Sequence, residues 1–132
     1  MLAQAHLEEM SHAVEASLAE PRPLEEWLPQ LTKTLVGLHA VNPRLHRVLF
    51  EEAPRPPELL ARFHHAEGQA AAAVEALLRA DPGPKVAEPA RKARFVVATV
   101  ESLIHRFIGR TPQADEQELA EEIVLIVTRY LR

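Results

Sequence analysis

Arg94-Phe95-Val96-Val97-Ala98-Thr99-Val100-Glu101-Ser102-Leu103-Ile104-His105-Arg106-Phe107-Ile108 is the stretch that decides the fold. Apolar and polar residues do not alternate strictly along it, so it does not read as a strand. Apolar residues recur at helical spacing instead, and on more than one side. Positions 96, 100, 103 and 107 make one face, and 97, 104 and 108 make another. Gly109 follows as a natural C-terminal cap. The final segment repeats the excess. Leu119, Ile123, Ile126 and Tyr130 form one stripe, while Val124, Val127 and Leu131 widen it. Asp115, with Glu118 three residues on, reads as its capping box. Arg129 and Arg132 at its end suit the helix dipole.

Upstream, prolines cut the chain into pieces, because a proline breaks a helix interior but fits its first turn. They cluster at 21 and 23, at 54, 56 and 57, and at 82, 84 and 89. Six segments lie between them and all read as helix; none supports a strand. The first, Leu2 to Ala19, carries Leu7, Met10, Val14 and Leu18 at spacings of three and four, and it starts without a cap. The second, Leu24 to Val41, places Trp27, Leu28, Leu31, Leu35 and Leu38 on one face. Pro29 near its start means that the regular helix begins there or that its first turns kink. A short third helix runs from Arg44 to Glu52, with Asn42 as N-cap and Pro43 in the first position. The fourth, Glu58 to Ala80, spans about 35 Å and turns Leu59, Leu60, Phe63, Ala70, Val74, Leu77 and Leu78 inward. Its Ala70-Ala71-Ala72-Ala73 run is small enough to admit a close neighbour. The fifth is Ala90 to Ile108. Asp81 to Glu88 is the clearest loop.

A helix resting on a single core needs one apolar stripe, whereas the last two helices each have more. Either they are the central helices of a monomer, or a second copy of the chain covers the surplus. Two helices from each of two chains then make a four-helix interface. The second solution is the simpler one for so short a chain. It assigns Val96, Val97, Val100, Ile104, Phe107, Ile108, Ile123, Ile126, Val127 and Tyr130 to a homodimer interface.

The chain has 132 residues, which fits one domain spanning 1–132. Apolar residues make up 47% and charged residues 26%, a balance that excludes a disordered chain. No apolar run reaches the ~20 residues of a membrane span, and no secretory signal opens the sequence. With no Cys there is neither a disulfide framework nor a thiolate metal site. The formal net charge of −4 argues against tight nonspecific phosphate binding. Lys85, Arg91, Lys92 and Arg94 form a small positive cluster that reads as a solvated face. No helix-turn-helix unit and no basic stripe with interleaved aromatics is present, so no DNA contact is expected from this chain alone.

Catalytic constellations are missing: no Gly-rich phosphate loop, nucleophile elbow or paired-Cys site occurs. Seven histidines raise a metal hypothesis. Glu9 and His12 have the spacing of one half of a di-iron carboxylate pair, but such sites need two of these motifs and further carboxylates. His64, His65 and Glu67 point in different directions around a helix. His39 and His46 flank a turn. Glu101 and His105 sit one turn apart on an apolar helix, with mutual pairing, pairing across an interface and ligand contact all open. No metal, no cofactor and no enzymatic activity is expected.

His6-Leu7-Glu8-Glu9-Met10, Arg22-Pro23-Leu24-Glu25-Glu26-Trp27-Leu28 and Asn42-Pro43-Arg44-Leu45-His46-Arg47-Val48-Leu49 together resemble the C-terminal regulatory domain of tetracycline-repressor-type (TetR family) transcription factors. Arg94 to Glu101 followed by Ile104-His105-Arg106 resembles that family's first dimerisation helix, and Glu118 to Leu131 its last. The resemblance covers essentially the whole sequence. It implies an all-α domain that binds a small-molecule effector in its core, dimerises through its last two helices, and acts in the cytoplasm. It also implies a pocket among the helices that begin near Leu2, Arg44, Glu58 and Ala90. Met10, Val14, Phe50, Phe63, Glu67, Ala70, Ala71, Thr99 and Leu103 are the lining residues expected on that basis, with plain core packing as the competing role for each. The family's DNA-binding head is absent from this sequence, which agrees with the uncapped start; the chain is expected to be a fragment or a headless relative. A free-standing small-molecule-binding protein without a DNA role is the alternative function.

Overall fold

A computed structural model describes residues 19–40, 57–110 and 115–132, together with positions 8, 12, 15 and 16. Four helices account for most of these: α1 (Leu24–Ala40), α2 (Pro57–Ala80), α3 (Pro89–Arg110) and α4 (Glu116–Leu131). No strand occurs among the described residues, so the fold is all-α as the sequence implies. Residues 8, 12, 15, 16 and 19 are also helical and exposed. The expected short helix at 44–52 lies outside the described residues.

Each helix starts and stops for a local reason. α1 opens at Leu24: the Pro23 carbonyl accepts the N–H groups of Glu26 (2.9 Å) and Trp27 (3.2 Å). Glu25 and Glu26 place negative charge at the positive end of the helix. The helix continues through Pro29 rather than beginning there. α2 starts on Pro57, where a missing N–H loses nothing. At its other end the Lys85 ammonium donates to the carbonyls of Arg79 (3.1 Å) and Asp81 (2.8 Å). α3 runs through Gly109 to Arg110, so that glycine does not end the helix as its type predicts. At the start of α4 the Asp115 carboxylate accepts the N–H groups of Gln117 (2.9 Å) and Glu118 (3.2 Å), which is the predicted cap.

The core joins all four helices. α1 contributes Leu24, Trp27, Leu28, Leu31 and Val36; α2 contributes Val74, Leu77 and Leu78. α3 contributes Ala93, Val96, Val100, Ile104 and Ile108, and α4 contributes Leu119, Ile123, Val127 and Leu131. On α1 the buried line passes through Val36, with Leu35 only partly covered. α3 packs against each of the other three helices, and α1 also packs on α4. The central position of α3 explains much of its apolar width. The start of α1 meets the end of α4 through Glu25 and Arg132, so these two helices are antiparallel. The Lys92 ammonium lies 5.8 Å from the centre of the Tyr130 ring, which brings the start of α3 to the end of α4.

Candidate functional site

Six of the ten residues assigned to a dimer interface lie inside the chain's own core. Val96, Val100, Ile104, Ile108, Ile123 and Val127 are all buried without a partner chain. Their burial follows from helix phase. Within Phe95-Val96-Val97-Ala98 every residue is apolar, and the core line is set by Ala93, a small residue that pattern reading passes over. Val97 is partly buried against the core.

The other three remain outside: Phe107 is 39% exposed, and Ile126 and Tyr130 are each 44% exposed. Phe95 (59%) and Leu125 (44%) join them and were missed. One exposed apolar side chain is ordinary, but several large ones on two neighbouring helices mark a contact surface. At 100° per residue, Lys92, Phe95, Thr99, Leu103 and Phe107 fall within an arc of about 120° on α3. Lys92 reaches Tyr130 from this arc, so the arc borders α4. On α4, Ile126 and Tyr130 are separated by about 40° and flank the same boundary. Leu125 lies about 100° from Ile126, off this surface. The candidate site is therefore a strip formed by Phe95, Thr99, Leu103 and Phe107 of α3 and by Ile126 and Tyr130 of α4.

Thr99 and Leu103, expected to line a ligand pocket, share the helix phase of this strip. Thr99 is exposed, and Leu103 is partly buried against the core. Of the other expected lining residues, Glu67 is exposed and Ala70 and Ala71 are half-buried on α2. Met10, Val14 and Phe50 lie outside the described residues, as does the side chain of Phe63. A groove of about 550 Å³ lies elsewhere, between α1 and the start of α4. Its walls are Pro29, Lys33 and Val36 on one side and Glu116, Gln117, Ala120, Glu121 and Val124 on the other. None of the expected lining residues belongs to it.

A polar node at one end of the bundle was also missed. Asp81, read from sequence as loop, is fully buried. Its Oδ2 accepts the Leu24 N–H at 3.1 Å and the Arg132 Nη2 at 2.9 Å, and its Oδ1 accepts the Gly83 N–H at 2.7 Å. Asp81 thus caps α1 from 57 residues away. Arg132 also donates to both carboxylate oxygens of Glu25, at 3.0 and 3.2 Å, and to the Pro84 carbonyl at 2.8 Å. Burial pushes the Asp81 carboxyl up, but the Gly83 and Leu24 N–H groups and the guanidinium outweigh it and hold the acid below its ordinary range. The Arg132 hydrogen bond lowers Glu25, and the two carboxylates raise Arg132. Gly83 is tied to this geometry: a Cβ there would stand 3.1 Å from Asp81 Oδ1. Only the loop composition was visible in the sequence; the partner at the far end of the chain was not.

Among the remaining candidates, His105 Nε2 and Glu101 Oε2 are 3.7 Å apart on the same helix, in keeping with pairing across one turn. His12 is exposed, while Glu9 lies outside the described residues. Among the described residues no three His, Asp or Glu side chains converge as metal ligands, and no helix is long and apolar enough to cross a membrane.

Residues 23–131 match the family model described as "Tetracyclin repressor-like, C-terminal domain". No curated protein matches the chain. No solved structure matches it either.

Proposed function

We propose, from the premise that this chain belongs to the tetracyclin repressor-like C-terminal domain family, that it is the effector-binding and dimerisation domain of a transcriptional repressor. Domains of this family are regulatory, combining ligand binding with dimerisation. The finer reading is that α3 and α4 pair with the same helices of a second copy, and that the effector is a small apolar molecule. DNA contact is assigned to the family's N-terminal head and not to these residues. Such a regulator acts in the cytoplasm and performs no catalysis.

One observation carries the reading: Phe95, Phe107, Ile126 and Tyr130 stand exposed along the boundary of the two helices that the family uses for association. A twofold interface is self-complementary, so one strip of this kind supplies both sides. The half-buried Ala70 and Ala71 support an effector site on α2, since small side chains leave volume beside a helix. An effector that prefers one arrangement of the helices shifts the population toward it by its differential affinity.

Light scattering at micromolar concentration tests the association. A dimer is expected, and Phe107→Glu or Ile126→Glu should weaken it by about 100-fold or more, as burying unpaired charge at an interface centre does. Val100→Glu is a control: it lies in the core and should unfold the chain instead. A monomer in the unmodified chain, or a dimer indifferent to both strip variants, refutes the assignment. For the effector, native mass spectrometry of freshly purified protein should show a bound apolar molecule. Failure to retain or bind any from a panel of hydrophobic compounds counts against that half of the reading.

A further inference from the structure

The last turn of α4 serves two places at once. Tyr130 presents its ring on the α3–α4 strip, Leu131 is buried, and Arg132 closes the turn with an N–H bond to the Thr128 carbonyl at 2.9 Å. The Arg132 guanidinium then donates to Asp81 Oδ2, the same oxygen that accepts the Leu24 N–H. One carboxylate oxygen therefore joins the end of α4 to the first residue of α1. The Gly83 N–H on Oδ1 at 2.7 Å stops the carboxylate from turning away with either partner.

We propose that Arg132 is a positioning residue, a latch through which a second copy on the α3–α4 strip sets how firmly the start of α1 is held. The inference rests on the dimer reading above. Coupling of this kind needs an element with discrete arrangements that both places bias. The node is such an element. Drawing the guanidinium away strands a fully buried carboxylate without its cation, so intermediate positions are disfavoured. A partner packed on Tyr130 fixes the last turn of α4, and with it the guanidinium. Loss of the partner frees the turn and loosens the cap on Leu24. Linkage then requires the reverse: a loosened α1 start weakens association by the same factor. The segment that enters α1 through Arg22-Pro23 is the part of the chain that feels the change.

Hydrogen exchange with mass spectrometry tests this on the 132-residue chain, read at a peptide covering 19–28 above and below the dissociation concentration. Exchange at the start of α1 is expected to quicken about tenfold on dissociation, the effect of losing one charge-assisted anchor. Arg132→Gln should exchange quickly in both states and dimerise about tenfold more weakly. Arg132→Lys, which keeps the charge but loses the fork, should fall between. Peptides of α2 and α3 report global unfolding, and if they quicken in the Gln variant, the Lys variant carries the comparison. A knot that is only structural gives equal exchange in monomer and dimer, and that result overturns the proposal. So does a response to dissociation that survives loss of the guanidinium. A chain found monomeric by light scattering at every concentration removes the dimer reading and the latch with it, and so tells the two failures apart.

Discussion

Asp81→Asn is the sharpest perturbation of this structure, because it exchanges one oxygen for an NH₂ group in a place where every neighbour donates. The Leu24 N–H and the Arg132 Nη2 converge on Oδ2, and the Gly83 N–H points at Oδ1. An amide offers one accepting oxygen. In its better orientation that oxygen serves Leu24 and Arg132, and the new NH₂ group faces the Gly83 N–H at close range. One buried donor is left unsatisfied, at about 1–3 kcal/mol, and the bond to Arg132 falls from charge-assisted to neutral strength, about 1 kcal/mol more. Arg132 keeps Glu25, so the cation is not abandoned. The sum is a loss of about 3 kcal/mol, a large share of the stability of a small domain. Urea denaturation followed by far-UV circular dichroism, at one fixed protein concentration, should show a lower midpoint with an unchanged slope. A loss below about 1 kcal/mol would falsify the description of Asp81 as a buried acceptor with three donors.

Acid should act on the same node. Asp81 and Glu25 are both held below their ordinary values of 3.8 and 4.5, so their stabilisation is complete above those values and is lost as pH falls through the depressed ones. The unfolding free energy should decline below about pH 4, and less steeply in Asp81→Asn; parallel acid limbs in the two proteins contradict this. Asp115→Ala removes the carboxylate that caps α4 and should lower stability by about 1 kcal/mol in the same denaturation assay. Glu88 precedes Pro89 with φ 50°, a left-handed backbone that asparagine tolerates better than glutamate. Glu88→Asn should therefore raise the thermal midpoint, with a gain of about 0.5–1 kcal/mol, and a lower midpoint refutes the strain.

Helix starts were legible because they are local chemistry, whereas the glycine at 109 misplaced the end of α3. Asp115 caps α4 where its type and position predict, and α2 and α3 begin on prolines. The family was legible from short runs: Arg22 to Leu28 falls almost wholly within the matched residues 23–131, whereas His6 to Met10 lies outside them. Helix phase in α3 was not. When four consecutive residues are apolar, a period of 3.6 fits more than one rotation, and only the neighbouring helices choose between them. The choice buried Val96 and left Phe95 outside. The direction of the lining residues expected on α3 was not legible for a related reason. Thr99 and Leu103 were carried over by resemblance of sequence, while their direction is set by the rotation of α3. Asp81 was invisible because its partners Leu24 and Arg132 lie 57 and 51 residues away, and no spacing rule reaches that far.

The lone tryptophan of the chain has an optical consequence. Trp27 is 2% exposed, and its indole N–H finds no acceptor among the described residues. An indole shielded from water emits at the short-wavelength end of its range. A visitor that opens this core to water shifts the emission to the red, so the protein carries a native chromophore able to register it without a dye.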